Sequence, residues 1–205
     1  AEALYFEVNT RLQSDTPLWY QVRKYRITAS KFGEIAKRRK ADVTNLVARL
    51  KSTRHVQTAP MRDGLAREPE AAKVYSTYKE GKVNLYPCGC VVSCTAPWLA
   101  ASPDRKVYDP SKQPPYGLLE IKCPEDSNVS GADWITEKNG QKSLKQNHNY
   151  FYQVLAQLAV TGLPWCDVFT WCYKDNSYYN ETVVFNDHKD MWDNAKDKVD
   201  IFYFS

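Results

Sequence analysis

The sequence predicts an α/β fold with a central mixed β-sheet flanked by helices, in a single domain over residues 1–205. Three observations lead there. Apolar residues recur at helical spacing as far as about Lys79, and from Lys82 they shorten into brief runs divided by Pro, Gly and Asp turns. Helical spacing returns near Asn147, which makes the order helices, strands, helix, strands, helix. At 205 residues, 43% hydrophobic and 25% charged, the chain suits one sizeable core, and it contains no internal repeat or low-complexity tract.

The first clear element begins at Ile27-Thr28-Ala29-Ser30. Thr28 is expected to N-cap a helix, with Ile27 and Phe32 as the hydrophobic staple and Phe32, Ile35 and Ala36 on one apolar face. A second, short helix is expected from Asp42, with Leu46, Val47 and Leu50 inward, and a third from Pro60 to Lys79, closed before Gly81. Strands are expected at 83–86, 90–94, 98–101, 105–108 and 116–123, with a Pro-rich turn at 109–115. The polar stretch 125–146 reads as a mobile loop carrying Lys138, Lys142 and Lys145. A helix follows over 147–161, stopped by Gly162-Leu163-Pro164. Strands at 165–173 and 178–185 then lead to a last helix with Met191, Ala195, Val199 and Phe202 on one face.

No apolar run approaches the ~20 residues that span a bilayer, so no membrane association is expected. Residues 1–9 carry acids and no basic-then-apolar pattern, so the expected setting is intracellular (nucleus or cytoplasm, or virus- or mobile-element-encoded) and not secreted. The chain reads as a piece of a longer protein. Cys88, Cys90 and Cys94 lack the paired spacing of a zinc ribbon, and six reduced thiols are expected rather than a zinc or iron–sulfur site. The net charge of +4 is uneven: between Arg23 and Arg54 eleven basic residues face two acidic ones, a local +9 that leaves −5 for the rest. Such a segment suggests a polyanion footprint.

The chemistry concentrates in Ser102-Pro103-Asp104 and Gly117-Leu118-Leu119-Glu120-Ile121-Lys122-Cys123-Pro124. On a strand Glu120 and Lys122 share a face while Ile121 points into the core, and Asp104 follows a proline turn on the expected neighbouring strand. Two carboxylates brought together can hold a hard divalent cation, and a lysine beside them can orient or help deprotonate a water. A surface Glu–Lys pair beside a turn aspartate is the plainer alternative. Glu68 is expected within an apolar stripe of Gly64, Leu65, Ala71, Ala72 and Tyr75, where it needs either a metal or an arginine. Tyr150, Gln153 and Gln157 fall on one uncharged helical face that fits a partly covered site. Arg23 and Ser30, at the start of a capped helix, suit a phosphate or else are ordinary structural residues.

Together these pieces resemble the YqaJ-type viral recombinases, relatives of phage lambda exonuclease within the PD-(D/E)xK nuclease superfamily. The resemblance runs from Trp19, Arg23 and Ile27-Thr28-Ala29-Ser30 through Gly64 and Glu68, Ser102-Pro103-Asp104 and Glu120-Ile121-Lys122 to Tyr150, Gln153 and Gln157-Leu158-Ala159-Val160-Thr161-Gly162. It implies a restriction-endonuclease-like core. It also implies that Asp104, Glu120 and the Ile121 carbonyl bind Mg²⁺ or Mn²⁺, one or two ions per site, while Lys122 assists the water. Glu68 would support a second metal or the water, and Gln153 would position it. Arg23 and Ser30 match positions that read a terminal phosphate, and Arg26 near them is expected to bind DNA phosphate as well. The partners implied are duplex DNA ends, a homotrimer and a single-strand-annealing or recombination protein. Arg26, the run Lys37 to Lys40 and the three cysteines Cys88 to Cys94 depart from the family pattern.

The function expected is a metal-dependent DNA phosphodiesterase, a 5′→3′ exonuclease on duplex ends. The alternatives are an endonuclease with the same metal site, a non-catalytic DNA-binding module on the nuclease fold, and a scaffold role in a longer chain.

Overall fold

A computed structural model describes residues 2–39, 47 and 59–205. The short helix expected from Asp42 and the basic residues Lys40, Arg49, Lys51 and Arg54 lie outside the described residues, apart from Val47.

Two helices precede the first expected element: α1 (Glu2–Asn9) and α2 (Pro17–Arg23), with a 3-10 turn at Gln13–Asp15 between them. No apolar stripe signals α1, because it buries only Glu7 and leaves Leu4, Tyr5 and Val8 exposed. Polar bonds hold it instead. Glu7 Oε1 accepts from the Gly89 N–H at 3.2 Å and the Lys106 ammonium at 2.9 Å, and Oε2 accepts from Arg11 Nη2 at 2.9 Å.

β1 (Ile27–Thr28) runs directly into α3 (Ala29–Ala36). Thr28 occupies the N-cap position but its side chain caps no N–H; its hydroxyl lies 3.2 Å from that of Ser30. Phe32, Ile35 and Ala36 are buried. α4 (Ala59–Tyr78) follows and carries Pro69 inside it, which removes the N–H that would serve the Leu65 carbonyl. Leu65 is exposed, so the apolar face of α4 is Ala71, Ala72 and Tyr75, and Glu68 sits at its margin rather than in its middle.

The remaining elements are β2 (Asn84–Pro87), β3 (Val91–Val92), β4 (Leu99–Ala101), β5 (Arg105–Tyr108), β6 (Tyr116–Lys122), β7 (Ile135–Lys138), β8 (Gln141–Leu144), α5 (Asn149–Thr161), β9 (Trp165–Trp171), β10 (Tyr178–Val184) and α6 (Lys189–Phe204). The central sheet has the order β10-β9-β6-β5-β2, with β6 and β9 parallel and the other neighbours antiparallel, so it is mixed. A smaller sheet has the order β1-β4-β3. Alternation along β6 sends Leu119 and Ile121 toward α4 with Tyr75 and Phe169, and Leu118 toward α3, α5 and α6. Each such fully buried leucine contributes roughly 1.5–3 kcal/mol. α3 and α5 approach closely at Gly33, where a Cβ would lie 2.9 Å from Tyr152 Cβ and 3.0 Å from Asn149 Oδ1.

The stretch 125–146 is not a plain loop. It holds a 3-10 turn (Val129–Gly131) and the β7–β8 hairpin, turned by Asn139 and Gly140 at φ 52° and 76°. Asn-Gly is the pair that a tight hairpin with two positive φ values prefers. The hairpin's polar residues hide it from hydrophobic periodicity, since only Ile135 and Leu144 are buried within its strands. β10 holds it in place: Tyr179 Oη donates to the Lys142 carbonyl at 2.7 Å, and Glu181 Oε1 accepts from the Leu144 N–H at 2.9 Å.

Among the described residues no helix is long and apolar enough to cross a membrane. All six cysteines are free; Cys88 and Cys90 are buried and Cys94 is exposed.

Candidate active site

The β5–β6 ladder begins at Arg105, opposite Leu119. Its register would put Pro103 opposite Ile121, where no ladder bond forms, and the Asp104 side chain takes that place: Oδ2 accepts from the Ile121 N–H at 2.7 Å. Asp104 is thereby fixed beside the end of β6 that carries Glu120 and Lys122. In a strand the N–H and C=O of one residue point to the same side, so the Ile121 carbonyl is also turned toward Asp104.

Glu120 is only 3% exposed and α5 grips it from above. Its Oε1 accepts from Lys122 Nζ and Gln153 Nε2, each at 2.8 Å, and its Oε2 accepts from Gln157 Nε2 at 2.7 Å. Gln153 also accepts from Lys122 Nζ at 3.3 Å, so one amide aligns both charged groups. The face of the Tyr150 ring lies 4.0 Å from Nζ. Burial on its own would strip the Lys122 proton, but Glu120 first, then Tyr150 and Asp104, outweigh it and raise the pKa above the ordinary lysine value.

The carboxylates behave oppositely. Burial, together with the charges of Glu120 and Glu68, pushes the Asp104 carboxyl well above its usual range. Glu68 is also raised, by burial and by Glu120, against the pull of Arg105. Arg105 Nη1 donates to Glu68 Oε1 at 2.5 Å and to the Asp104 carbonyl at 2.6 Å, so an arginine satisfies Glu68 in this state. Among the described residues no three His, Cys, Asp or Glu side chains form a ready metal cluster. Two crowded, mutually repelling carboxylates beside a strand-end carbonyl are nevertheless the hard oxygen donors that suit Mg²⁺ or Mn²⁺.

A second group of residues adjoins Asp104. Ser102 Oγ accepts from Trp19 Nε1 at 2.9 Å and from Arg23 Nη1 at 3.2 Å, and the Arg23 guanidinium lies 3.8 Å over the Trp19 ring. Arg23 Nε is buried without a partner, and burial pushes its pKa down to about 10. Ser30 is exposed at the start of α3. Arg26 is engaged differently: Nε donates to the Pro97 carbonyl at 2.9 Å and Nη1 to the Val22 carbonyl at 2.6 Å.

A family model described as a YqaJ-like viral recombinase domain matches residues 18–164, most of the chain and the whole of this arrangement. The chain belongs to that family. No curated protein matches it significantly. Among solved structures it is similar to an alkaline exonuclease, LHK-Exo, from Laribacter hongkongensis, at 25% identity over 91% of this chain and 90% of that one, with a TM-score of 0.67. It is similar also to the KSHV protein SOX in a DNA complex, at 14% identity over 98% and 69% with a TM-score of 0.66. A phage-related exonuclease from Haemophilus somnus 129PT matches at 10% identity over 90% and 96%, TM-score 0.57. The last two speak for the fold alone. The fold is thus the mixed α/β architecture of the PD-(D/E)xK alkaline exonucleases.

The structure gives Gln157, already placed on the uncharged helical face, a definite partner, and it adds residues that the sequence reading did not assign to the site. Gln157 is a direct partner of Glu120, and Arg105 answers Glu68. Gln13 Nε2 donates to the carbonyls of Cys88 at 3.0 Å and Pro103 at 2.9 Å, tying the N-terminal segment to the Asp104 turn. The Arg67 guanidinium lies 3.7 Å over the Tyr173 ring, with Nη1 buried and unpartnered. Gln157 had a visible signal, its place at i+4 from Gln153 on the polar face. The other three act across sequence separations that no local pattern encodes.

Proposed function

We propose that this YqaJ-like domain is a metal-dependent DNA phosphodiesterase that acts as a 5′→3′ exonuclease on duplex ends. The observation that carries this reading is the seating of Asp104 on the Ile121 N–H beside the buried Glu120–Lys122 pair. An alkaline exonuclease at 25% identity over nearly the whole chain supports it, as does a structure of LHK-Exo in complex with dAMP.

Asp104, Glu120 and the Ile121 carbonyl would hold Mg²⁺ or Mn²⁺, which supplies Lewis acidity toward a phosphoryl oxygen. Lys122, bonded to Glu120 and Gln153, would orient or help deprotonate the attacking water and stabilise charge on the phosphoryl oxygens. Gln153, bonded to both charged groups, keeps them in register. Glu68, paired with Arg105, would support the water or a second ion. Arg23 and Ser30, with Ser102 between Arg23 and Asp104, take the terminal phosphate. The same reading assigns Arg26 to backbone support of that phosphate site. It also assigns a homotrimer around the duplex, a strand-annealing or recombination partner, and action inside a cell.

Linear duplexes with 5′-phosphate or 5′-hydroxyl ends, beside covalently closed circles, test the reading with Mg²⁺, Mn²⁺ or EDTA. Metal-dependent loss of the phosphorylated linear duplex with circles intact is the expected result. Cut circles would make the enzyme an endonuclease, and binding without cleavage would leave a DNA-binding module.

A further inference from the structure

Two guanidinium groups adjoin residues of the candidate active site, and they share one construction. Arg23 lies 3.8 Å over the Trp19 ring, with Nε buried and unpartnered. Arg67 lies 3.7 Å over the Tyr173 ring, with Nη1 buried and unpartnered. The first adjoins Ser102, two residues before Asp104. The second is the neighbour of Glu68, and Arg105, the partner of Glu68, also donates to the Asp104 carbonyl. Arg67 and Glu68 are consecutive on α4, yet Glu68 pairs with Arg105.

A guanidinium held against an aromatic ring has its position restrained, and its N–H groups that lack an acceptor remain for a ligand. A buried N–H without an acceptor is costly unless some ligand supplies one. The acceptor that matches a planar fork beside a phosphodiester site is a phosphate oxygen. We infer that Arg67, held by Tyr173, forms a second phosphate-binding subsite that grips the DNA strand beside Glu68, separate from the end-binding Arg23. The inference rests on the nuclease reading above and names a substrate contact that it lacks.

The test compares wild type, Arg67→Ala, Arg67→Lys and Tyr173→Leu on duplex DNA with 5′-hydroxyl or 5′-phosphate ends. Binding is measured in EDTA across a salt series and cleavage with Mg²⁺. Arg67→Ala should weaken binding roughly five- to tenfold and make the plot of log affinity against log salt shallower by about 1, one phosphate contact. The loss should be equal on both kinds of end and fall on KM more than on kcat. Arg67→Lys should keep the salt slope and recover part of the affinity, and Tyr173→Leu should weaken binding with the slope retained. An Arg67→Ala protein with wild-type affinity and salt slope overturns the inference. So does a loss confined to thermal stability, or one seen only with phosphorylated ends. Should Arg67→Ala fail to fold, Tyr173→Leu with wild-type affinity overturns it as well. A wild type that neither binds nor cuts DNA overturns the nuclease reading itself, whereas an active wild type matched by Arg67→Ala removes only the subsite.

Discussion

Asp104 and Ile121 are joined side chain to backbone, Oδ2 to N–H at 2.7 Å, at the point where the β5–β6 ladder stops. A carboxylate therefore completes the sheet with one oxygen, and its charge is opposed by those of Glu120 and Glu68. The same residue ends a strand and begins a site, which gives it two separable roles.

Asp104→Asn should separate them. The amide oxygen can still accept from Ile121, while the charge that Glu120 and Glu68 oppose is gone. Cleavage should fall at least on the order of 10²-fold, the scale for losing a main electrostatic group. The thermal midpoint in EDTA should hold or rise. A fall in both would mean that the charge, and not only the hydrogen bond, supports the fold.

Lys122→Ala should abolish cleavage and leave DNA binding nearly unchanged, because the ammonium contributes to the reaction and not to holding the strand. Turnover retained in this variant would remove Lys122 from the mechanism.

Gln157→Leu removes the donor to Glu120 Oε2. A buried charge deprived of one partner should lose roughly 1–3 kcal/mol, seen in a urea titration. Activity should drop with it, since Glu120 gains freedom to rotate. Gln157→Glu should be worse than Leu, for it sets a second carboxyl against the first.

Arg23→Ala should impair digestion of 5′-phosphorylated ends more than of 5′-hydroxyl ends. Equal loss on both would make Arg23 a general phosphate contact.

Glu7 sets a pH dependence away from the site. Burial would raise its pKa, but bonds from Arg11, Lys106 and the Gly89 N–H overcome this and hold it at about 2, against an ordinary 4.5. The group is thus charged in the folded state where an unfolded glutamate takes up a proton. Its contribution to stability is present above about pH 4.5 and is lost as pH falls from there toward 2. The urea midpoint of wild type should fall across that window. Glu7→Gln should start lower at neutral pH and decline less; parallel curves would assign the acid sensitivity elsewhere.

The strand that carries Glu120 and Lys122 is legible because period-2 alternation alone separates its charged positions from Leu119 and Ile121. The mixed sheet and most helices are legible on the same grounds. α1 is not, because its one buried residue is a glutamate whose partners Gly89 and Lys106 lie far along the chain. The β7–β8 hairpin escapes hydrophobic periodicity, although Asn139-Gly140 marks it in turn chemistry. The Glu68–Arg105 pair and the Arg67–Tyr173 stack are equally silent: each joins residues from separate elements whose approach depends on the finished fold.

Gly33 has a consequence for precision. α3 can lie against α5 because no methyl group stands between them, and α5 in turn carries the two glutamines that hold Glu120. The clearance of the Glu120 carboxylate is therefore set remotely, by a shim of zero thickness. Adding a single carbon there would act as a lever on hydrogen bonds it never touches, and position 33 becomes a tuning point for turnover outside the site itself.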